Sequence, residues 1–105
     1  MESGSISLSN LTFKASSNHL YSEIAEEAVI LNLESGVYYG LNEVGVDIWQ
    51  WLQQPQTTES LLNLLLQEYD VTPEQAKQDL EAILQEMSAA KLIEVVRSPL
   101  LNVEI

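Results

Sequence analysis

Apolar and polar positions alternate from Val29 to Glu34 and again from Val37 to Asn42. Val29, Leu31 and Leu33 alternate with Ile30, Asn32 and Glu34, and Val37, Tyr39 and Leu41 alternate with Tyr38, Gly40 and Asn42, the period of two of a pleated strand. The connection Glu34-Ser35-Gly36 is short and ends in the residue that takes positive φ without steric cost, so the two runs predict an antiparallel hairpin. Beyond Leu41 the period turns helical. Asn42 is a good N-cap, Val44, Ile48, Trp51 and Leu52 share a face, and the helix is expected from Glu43 to about Gln53. On this reading Trp51 is core, while Trp49 lies at the margin with its indole N–H towards a polar partner. Upstream, Leu20, Ser22 and Ile24 alternate with His19, Tyr21 and Glu23, which predicts a strand joined to the hairpin by a turn at Ala25-Glu26-Glu27.

Further along, Gln54-Pro55-Gln56 breaks the first helix, and Thr57 or Thr58 caps a second that carries Leu61, Leu62, Leu65, Leu66 and Tyr69. Thr72-Pro73-Glu74-Gln75 is the clearest start signal in the chain: Thr at the cap, Pro at the first helical position and Gln three residues after the cap for a capping box. The third helix has Ala76, Leu80, Ile83, Leu84 and Met87 as its apolar stripe and ends near Ala89 or Ala90. Leu92 to Val96 has the composition of a last short strand. The expected fold class is therefore α+β and winged-helix-like: a three-stranded antiparallel sheet, three helices and a short C-terminal strand. The division expected is an irregular arm over 1–18 with an edge strand around Leu11 to Lys14, a domain over 19–96, and a tail over 97–105 left unassigned.

A chain of 105 residues with 46% hydrophobic residues suits one domain, and its apolar runs are too short for a transmembrane helix. MESGSISLSN has neither the basic nor the apolar region of a secretory signal, so a soluble, cytoplasmic protein is expected. The absence of cysteine removes disulfides, thiolate metal sites and cysteine nucleophiles. Sixteen acidic against four basic residues give a formal charge of −12, a field that repels phosphate backbones and anionic lipid and attracts cationic segments. No nucleic-acid or membrane partner is expected.

Chemistry is hard to assemble from what remains. His19 is the sole histidine, without a second imidazole or a thiol to share a metal, so no metal site and no cofactor are expected. Glu26-Glu27 and Glu68 with Asp70 fall in predicted turns and helix ends, where carboxylates stay solvated. Gly36, Gly40 and Gly45 match neither the dinucleotide nor the phosphate-loop spacing and serve geometry. Tyr39 alternates with Val37 and Leu41 as a core residue does, which leaves Tyr38 on the open side of the sheet.

The stretches ILNLESGVYYGLNEVGVDIW (30–49), TTESLLNLLLQEYDV (57–71) and QDLEAILQEM…LIEV (78–95) together make the chain similar, over about residues 19–96, to the pyrroloquinoline-quinone biosynthesis protein D (PqqD) family. That resemblance implies a recognition element for ribosomally made, post-translationally modified peptides. Its members bind the leader of a precursor peptide as a strand added to the third strand of the sheet, in a groove against the third helix. The matching positions are Val37, Tyr38, Tyr39 and Gly40 for strand addition, and Lys77, Asp79, Leu80, Ile83, Leu84 and Met87 along the helical wall. The implied partners are the leader and a maturation enzyme (a protease, a cyclase or a radical enzyme), with lasso-peptide pathways among the settings.

Independently of that resemblance, the strand from Val37 ends a meander and so offers an unpaired edge, a natural template for an added strand. The leading expectation is a non-catalytic peptide-binding adaptor. The rival of a different class is a winged-helix DNA-binding regulator, which needs a basic patch where the third helix offers Lys77 and Lys91 among several acids. A small enzyme would need a nucleophile–base or metal constellation that the residues do not supply.

Overall fold

The computed structural model describes residues 11–24 and 27–96. In chain order the elements are β1 (Thr12–Ala15), β2 (His19–Ile24), β3 (Glu27–Asn32), β4 (Tyr38–Leu41), α1 (Glu43–Trp51), β5 (Gln56–Thr57), α2 (Thr58–Glu68), α3 (Pro73–Ala89) and β6 (Ile93–Val96). They form two antiparallel sheets. One is the expected meander, in the order β2-β3-β4; the other has the order β5-β1-β6.

The second sheet corrects the reading of the N-terminal arm. A strand does form at Thr12–Ala15, but it is the central strand of its sheet and not an edge, paired with β6 on one side and with Gln56 and Thr57 on the other. Phe13 and Ala15 are buried in the core, so the segment belongs to the body of the fold. Its poor alternation hid this, because short strands held from both sides carry a weak period-two signal. Residues 1–10, 25–26 and 97–105, which hold the rest of the arm, most of the first turn and the tail, lie outside the described residues.

In the meander, Tyr21 pairs with Ile30 and Ile30 with Tyr39, and this row faces the helices. Glu27, read as a turn residue, is already in β3 opposite Ile24. The hairpin connection is longer than the sequence suggests, with Leu33, Glu34 and Val37 outside the strands. Asn32 explains the early exit of the chain: its side-chain Oδ1 accepts from the N–H of Glu34 (2.8 Å) and of Ser35 (3.2 Å), a local turn that competes with the ladder. Gly36 then sits at φ +75°, the conformation for which a glycine was expected.

Helix α1 begins at its expected cap, where Asn42 Oδ1 accepts from Gly45 N–H at 2.8 Å. Its buried face is Gly45, Ile48 and Trp49, continued by the C-cap Leu52, so the two tryptophans exchange their expected places. Trp49 is 3% exposed, and Trp51 is only partly buried at the edge of the core. The periodicity permitted either face. Trp49 shares the buried side with Ile48 and with Gly45, where a Cβ would lie 3.3 Å from both the Leu41 side chain and Asn42 Oδ1.

Thr57 caps α2 and forms a reciprocal capping box with Ser60. At α3 the Thr72 cap and Pro73 stand as expected, but Gln75 makes no box: its side chain turns forward to Asp79, at 2.9 Å. Leu61 and Leu65 of α2 and Leu80, Leu84 and Met87 of α3 join Ile30, Ile48 and Trp49 in one core. Helix α3 ends with Lys91 N–H bonded to Ser88 O and Leu92 N–H to Met87 O, the paired bonds of a Schellman stop, and Lys91 takes φ 62° where glycine is usual.

One polar tie joins the meander to this helix end. Asn32 is 6% exposed, and its Nδ2 donates to Ala90 O at 3.0 Å. Asn32→Ala leaves that carbonyl unpaired and dissolves the local turn, so urea unfolding is expected to show a loss of about 1–3 kcal/mol. A loss below about 0.5 kcal/mol, the scatter of neutral surface changes, would show that the tie is dispensable.

Candidate peptide-docking groove

The site is built from the outer edge of β4 and the flank of α3 that faces it. Strand β4 is the last of its sheet, and among the described residues nothing pairs with its other side. The direction of its backbone groups follows from one bond. Asn32 N–H donates to Val37 O at 3.0 Å, and hydrogen-bonded pairs alternate along an antiparallel ladder. With Ile30 opposite Tyr39 and Ala28 opposite Leu41, the N–H and C=O groups of Tyr39 and Leu41 point at β3, while those of Tyr38 and Gly40 point outward.

Beside this edge runs a groove in three parts. At the β3–β4 turn a recess is lined by Glu34, Val37, Tyr39, Ala89, Ala90 and Lys91. In the middle, Tyr39, Leu41, Ile83, Met87 and Leu92 make an apolar floor with Glu86 on the rim. At the far end Asn42 and Val44 face Asp79, Ala82, Ile83 and Glu86. As the strand advances from Val37 to Asn42 the facing helix residues descend from Ala90 to Asp79, so β4 and α3 run antiparallel. The middle recess holds about 140 Å³. That is below the roughly 300–1,000 Å³ of small-molecule pockets and suits single side chains of an extended peptide.

A larger recess, about 420 Å³, opens elsewhere, between the β2–β3 end of the meander and the start of α1, with Glu23, Glu27, Glu43 and Asp47 on its walls. Its walls are acidic, and no group of three or more metal-ligating side chains is gathered among the described residues. On its flank Tyr69 donates to Asp47 Oδ2, tying the end of α2 to α1. Burial, and then the Asp47 carboxylate, push the Tyr69 phenol well above its ordinary range.

A family profile described as coenzyme PQQ synthesis protein D (PqqD) matches residues 27–93. The chain belongs to the PqqD family. Among solved structures it is similar to TbiB1 in complex with the TbiA(β) leader peptide, with 29% identity, a TM-score of 0.71, and coverage of 81% of this chain and 99% of that one. It also shares its fold with lasso peptide synthetase B1 complexed with the leader peptide, with 22% identity, a TM-score of 0.69, and coverage of 78% and 96%. A comparison with curated proteins finds no match.

Within this PqqD domain the residues expected at the site divide into two sets. Tyr38, Tyr39 and Gly40 lie on the edge strand, Val37 immediately precedes it, and Asp79, Ile83 and Met87 line the groove. Leu80 and Leu84 do not: both are fully buried in the core, on the opposite flank of the helix stripe. Lys77 is exposed and lines none of the three recesses. Ala82 and Glu86, inside the stretch of helix expected as the wall, line the groove as well, and outside the expected stretches Glu34, Leu41, Asn42, Val44, Ala89, Ala90, Lys91 and Leu92 also border it. The helix positions 79, 82, 83, 86 and 90 follow three- and four-residue steps and so form one face, but small and acidic residues make no apolar stripe to draw attention to it.

His19 stands behind the site, its ring edge-on to Trp49 at 4.7 Å between centroids, and its Nδ1 is buried without a partner among the described residues. Burial holds its pKa below the ordinary 6.5. Below pH 6.5 the unfolded chain therefore takes up a proton that the folded one resists, and stability falls as the pH drops from there towards the folded-state value. Thermal midpoints of the parent and of His19→Phe should diverge between about pH 7.5 and 5.5, with the parent losing more. Parallel curves would remove this account.

The backbone directions make a second expectation. Tyr39→Pro deletes an N–H that holds β4 to β3 and should lower the thermal midpoint clearly. Tyr38→Pro deletes an outward N–H and should leave folding nearly intact, while weakening a peptide strand added there by about 0.5–1.5 kcal/mol. Calorimetry with the cognate peptide beside thermal unfolding separates the two, and parental binding and stability in both variants would exclude β4 as a docking edge.

Proposed function

We propose that the chain is a non-catalytic adaptor of the cytoplasm: it binds the leader of a ribosomally made precursor peptide as a fourth strand on β4, against α3, and presents it to a separate maturation enzyme. The observation that carries this reading is the unpaired edge of β4 facing an apolar-floored groove, in the fold shared with two leader-peptide complexes. Outward N–H and C=O groups of Tyr38 and Gly40 supply affinity through the main chain. Alternate side chains of the leader then enter the recess over Tyr39, Leu41, Ile83 and Met87, which supplies selectivity. The described part of α3 carries Glu74, Asp79, Glu81 and Glu86 against Lys77, a charge pattern that opposes a helix in the major groove of DNA.

The test is an amide titration with synthetic peptides that span the leaders of ribosomally made precursor peptides. Shifts should concentrate at Tyr38–Leu41 and along residues 79–90, leaving Glu59–Glu68 of α2 nearly unchanged. Maximal shifts in α2, or tight binding of random duplex DNA at physiological salt, would overturn the reading. For a leader carrying Lys or Arg, association should slow as salt rises, with Asp79 and Glu86 on the groove wall, while the apolar contacts sustain the bound state.

A further inference from the structure

The groove has carboxylates at both ends and a single cation. Asp79 and Glu86 stand on its wall where Asn42 faces α3, and Glu34 borders the recess at the β3–β4 turn. Lys91 lines that same recess, and among the described residues it is the one basic residue on any part of the groove. The chain has four basic residues and a formal charge of −12, so a cation at this spot is a scarce one.

The fold gives no reason for it. Lys91 takes φ 62°, the left-handed conformation, in which a Cβ crowds the backbone and glycine rests without cost. Its neighbours impose that conformation. Lys91 N–H donates to Ser88 O and Leu92 N–H to Met87 O, the Ser16 hydroxyl donates between the carbonyls of Lys91 (2.9 Å) and Leu92 (3.0 Å), and Asn32 Nδ2 holds Ala90 O. These bonds do not use the lysine side chain, which is exposed. A positive charge does favour the C-terminus of a helix, but it acts there from any position of the last turn. The last turn of α3 holds no basic residue, although its backbone and the Ala90 cap are of ordinary negative φ. Among the described residues lysine stands instead at the one non-glycine position with positive φ, and strain retained at a binding surface points to use of the side chain.

We infer that Lys91 is a specificity-determining residue of the groove, whose ammonium receives a carboxylate of the bound leader, the side chain of an Asp or Glu. This rests on the adaptor reading and adds the charge of the segment it takes. On a strand added to β4, every second side chain points to the groove. One of them enters the middle recess over Tyr39 and Leu41, and the next, two residues along and about 7 Å away, arrives at the turn-end recess, where Val37, Tyr39 and Lys91 meet. The segment thus pairs an apolar residue with an acidic one at a spacing of two. With Asp79 and Glu86 at the far end, a segment laid in the reverse direction puts its carboxylate among theirs. Lys91 therefore sets direction and register, which the main-chain bonds of an edge strand leave open. Glu34 borders the same recess, but an acid in an exposed turn, without positive φ, carries no such sign.

The test selects binders of the full chain from a displayed library of random linear peptides, in parallel on the parent, Lys91→Gly and Lys91→Glu. Only peptides that shift the amides of Tyr38–Leu41 are compared. Parent binders should be enriched in Asp or Glu two residues from an apolar residue. Lys91→Gly binders should lose that enrichment, and Lys91→Glu binders should replace it with Lys or Arg. For one parent binder, changing the acid to its neutral amide should weaken binding to the parent roughly two- to fivefold at low salt and leave binding to Lys91→Gly unchanged. Thermal unfolding separates this from a structural role: Lys91→Gly should keep or raise the parent's midpoint, since glycine relieves the left-handed strain. No acidic enrichment, enrichment of Lys or Arg on the parent, an equal loss for acid and amide, or a lower midpoint for Lys91→Gly overturns the inference. If no peptide of the library shifts Tyr38–Leu41 in the parent, the adaptor reading itself falls.

Discussion

The separation between β4 and α3 is the constraint on which the rest depends. A strand edge that a helix covers cannot accept a partner, and an edge standing alone has no wall to select one. The gap is fixed at the hairpin end by the buried Asn32 amide on the Ala90 carbonyl, while at its other end α1 starts close against β4, where a Cβ on Gly45 would stand 3.3 Å from the Leu41 side chain. Between these points the side chains of Tyr39, Leu41, Ile83 and Met87 fill the floor without closing the space above it. Apolar packing of α3 through Leu80 and Leu84 supplies the rigidity, so the groove is a by-product of how the core is satisfied.

On the adaptor reading, such a site divides its labour by atom type. Main-chain groups of an edge strand bind almost any extended peptide, which gives strength without much choice. The recess beside them admits one or two side chains and so carries the choice. The acidic surface contributes mainly to the speed and steering of encounter, since exposed charges are screened over about 8 Å at physiological salt.

Much of this was legible in the residues. The period of two, which holds within 29–32 and 38–41, the caps Asn42, Thr57 and Thr72, and the Pro73 start all describe local preferences, and these survived folding. What was not legible depended on tertiary approach. Trp49 and Trp51 lie on neighbouring faces of one helix, and packing into the common core chose between them. The groove wall at Asp79, Ala82 and Glu86 has no pattern of its own, because a surface that lines an empty space is defined by what lies across from it. The stop of α3 lacked its usual glycine, and Lys91 carries the left-handed conformation instead, at a local cost of roughly 1–2 kcal/mol.

The central place of β1 in its sheet bears on the order of events during synthesis. Thr12–Ala15 pairs with Ile93–Val96, so β1 waits until every element between the two strands has been made. The meander from His19 to Leu41 needs only neighbouring strands, and close pairings form before distant ones because less chain entropy is lost in closing them. The recognition edge thus belongs to the early, local half of the fold. The second sheet acts as a late clasp that adds Phe13 and Ile93 to the core of the helices and β3.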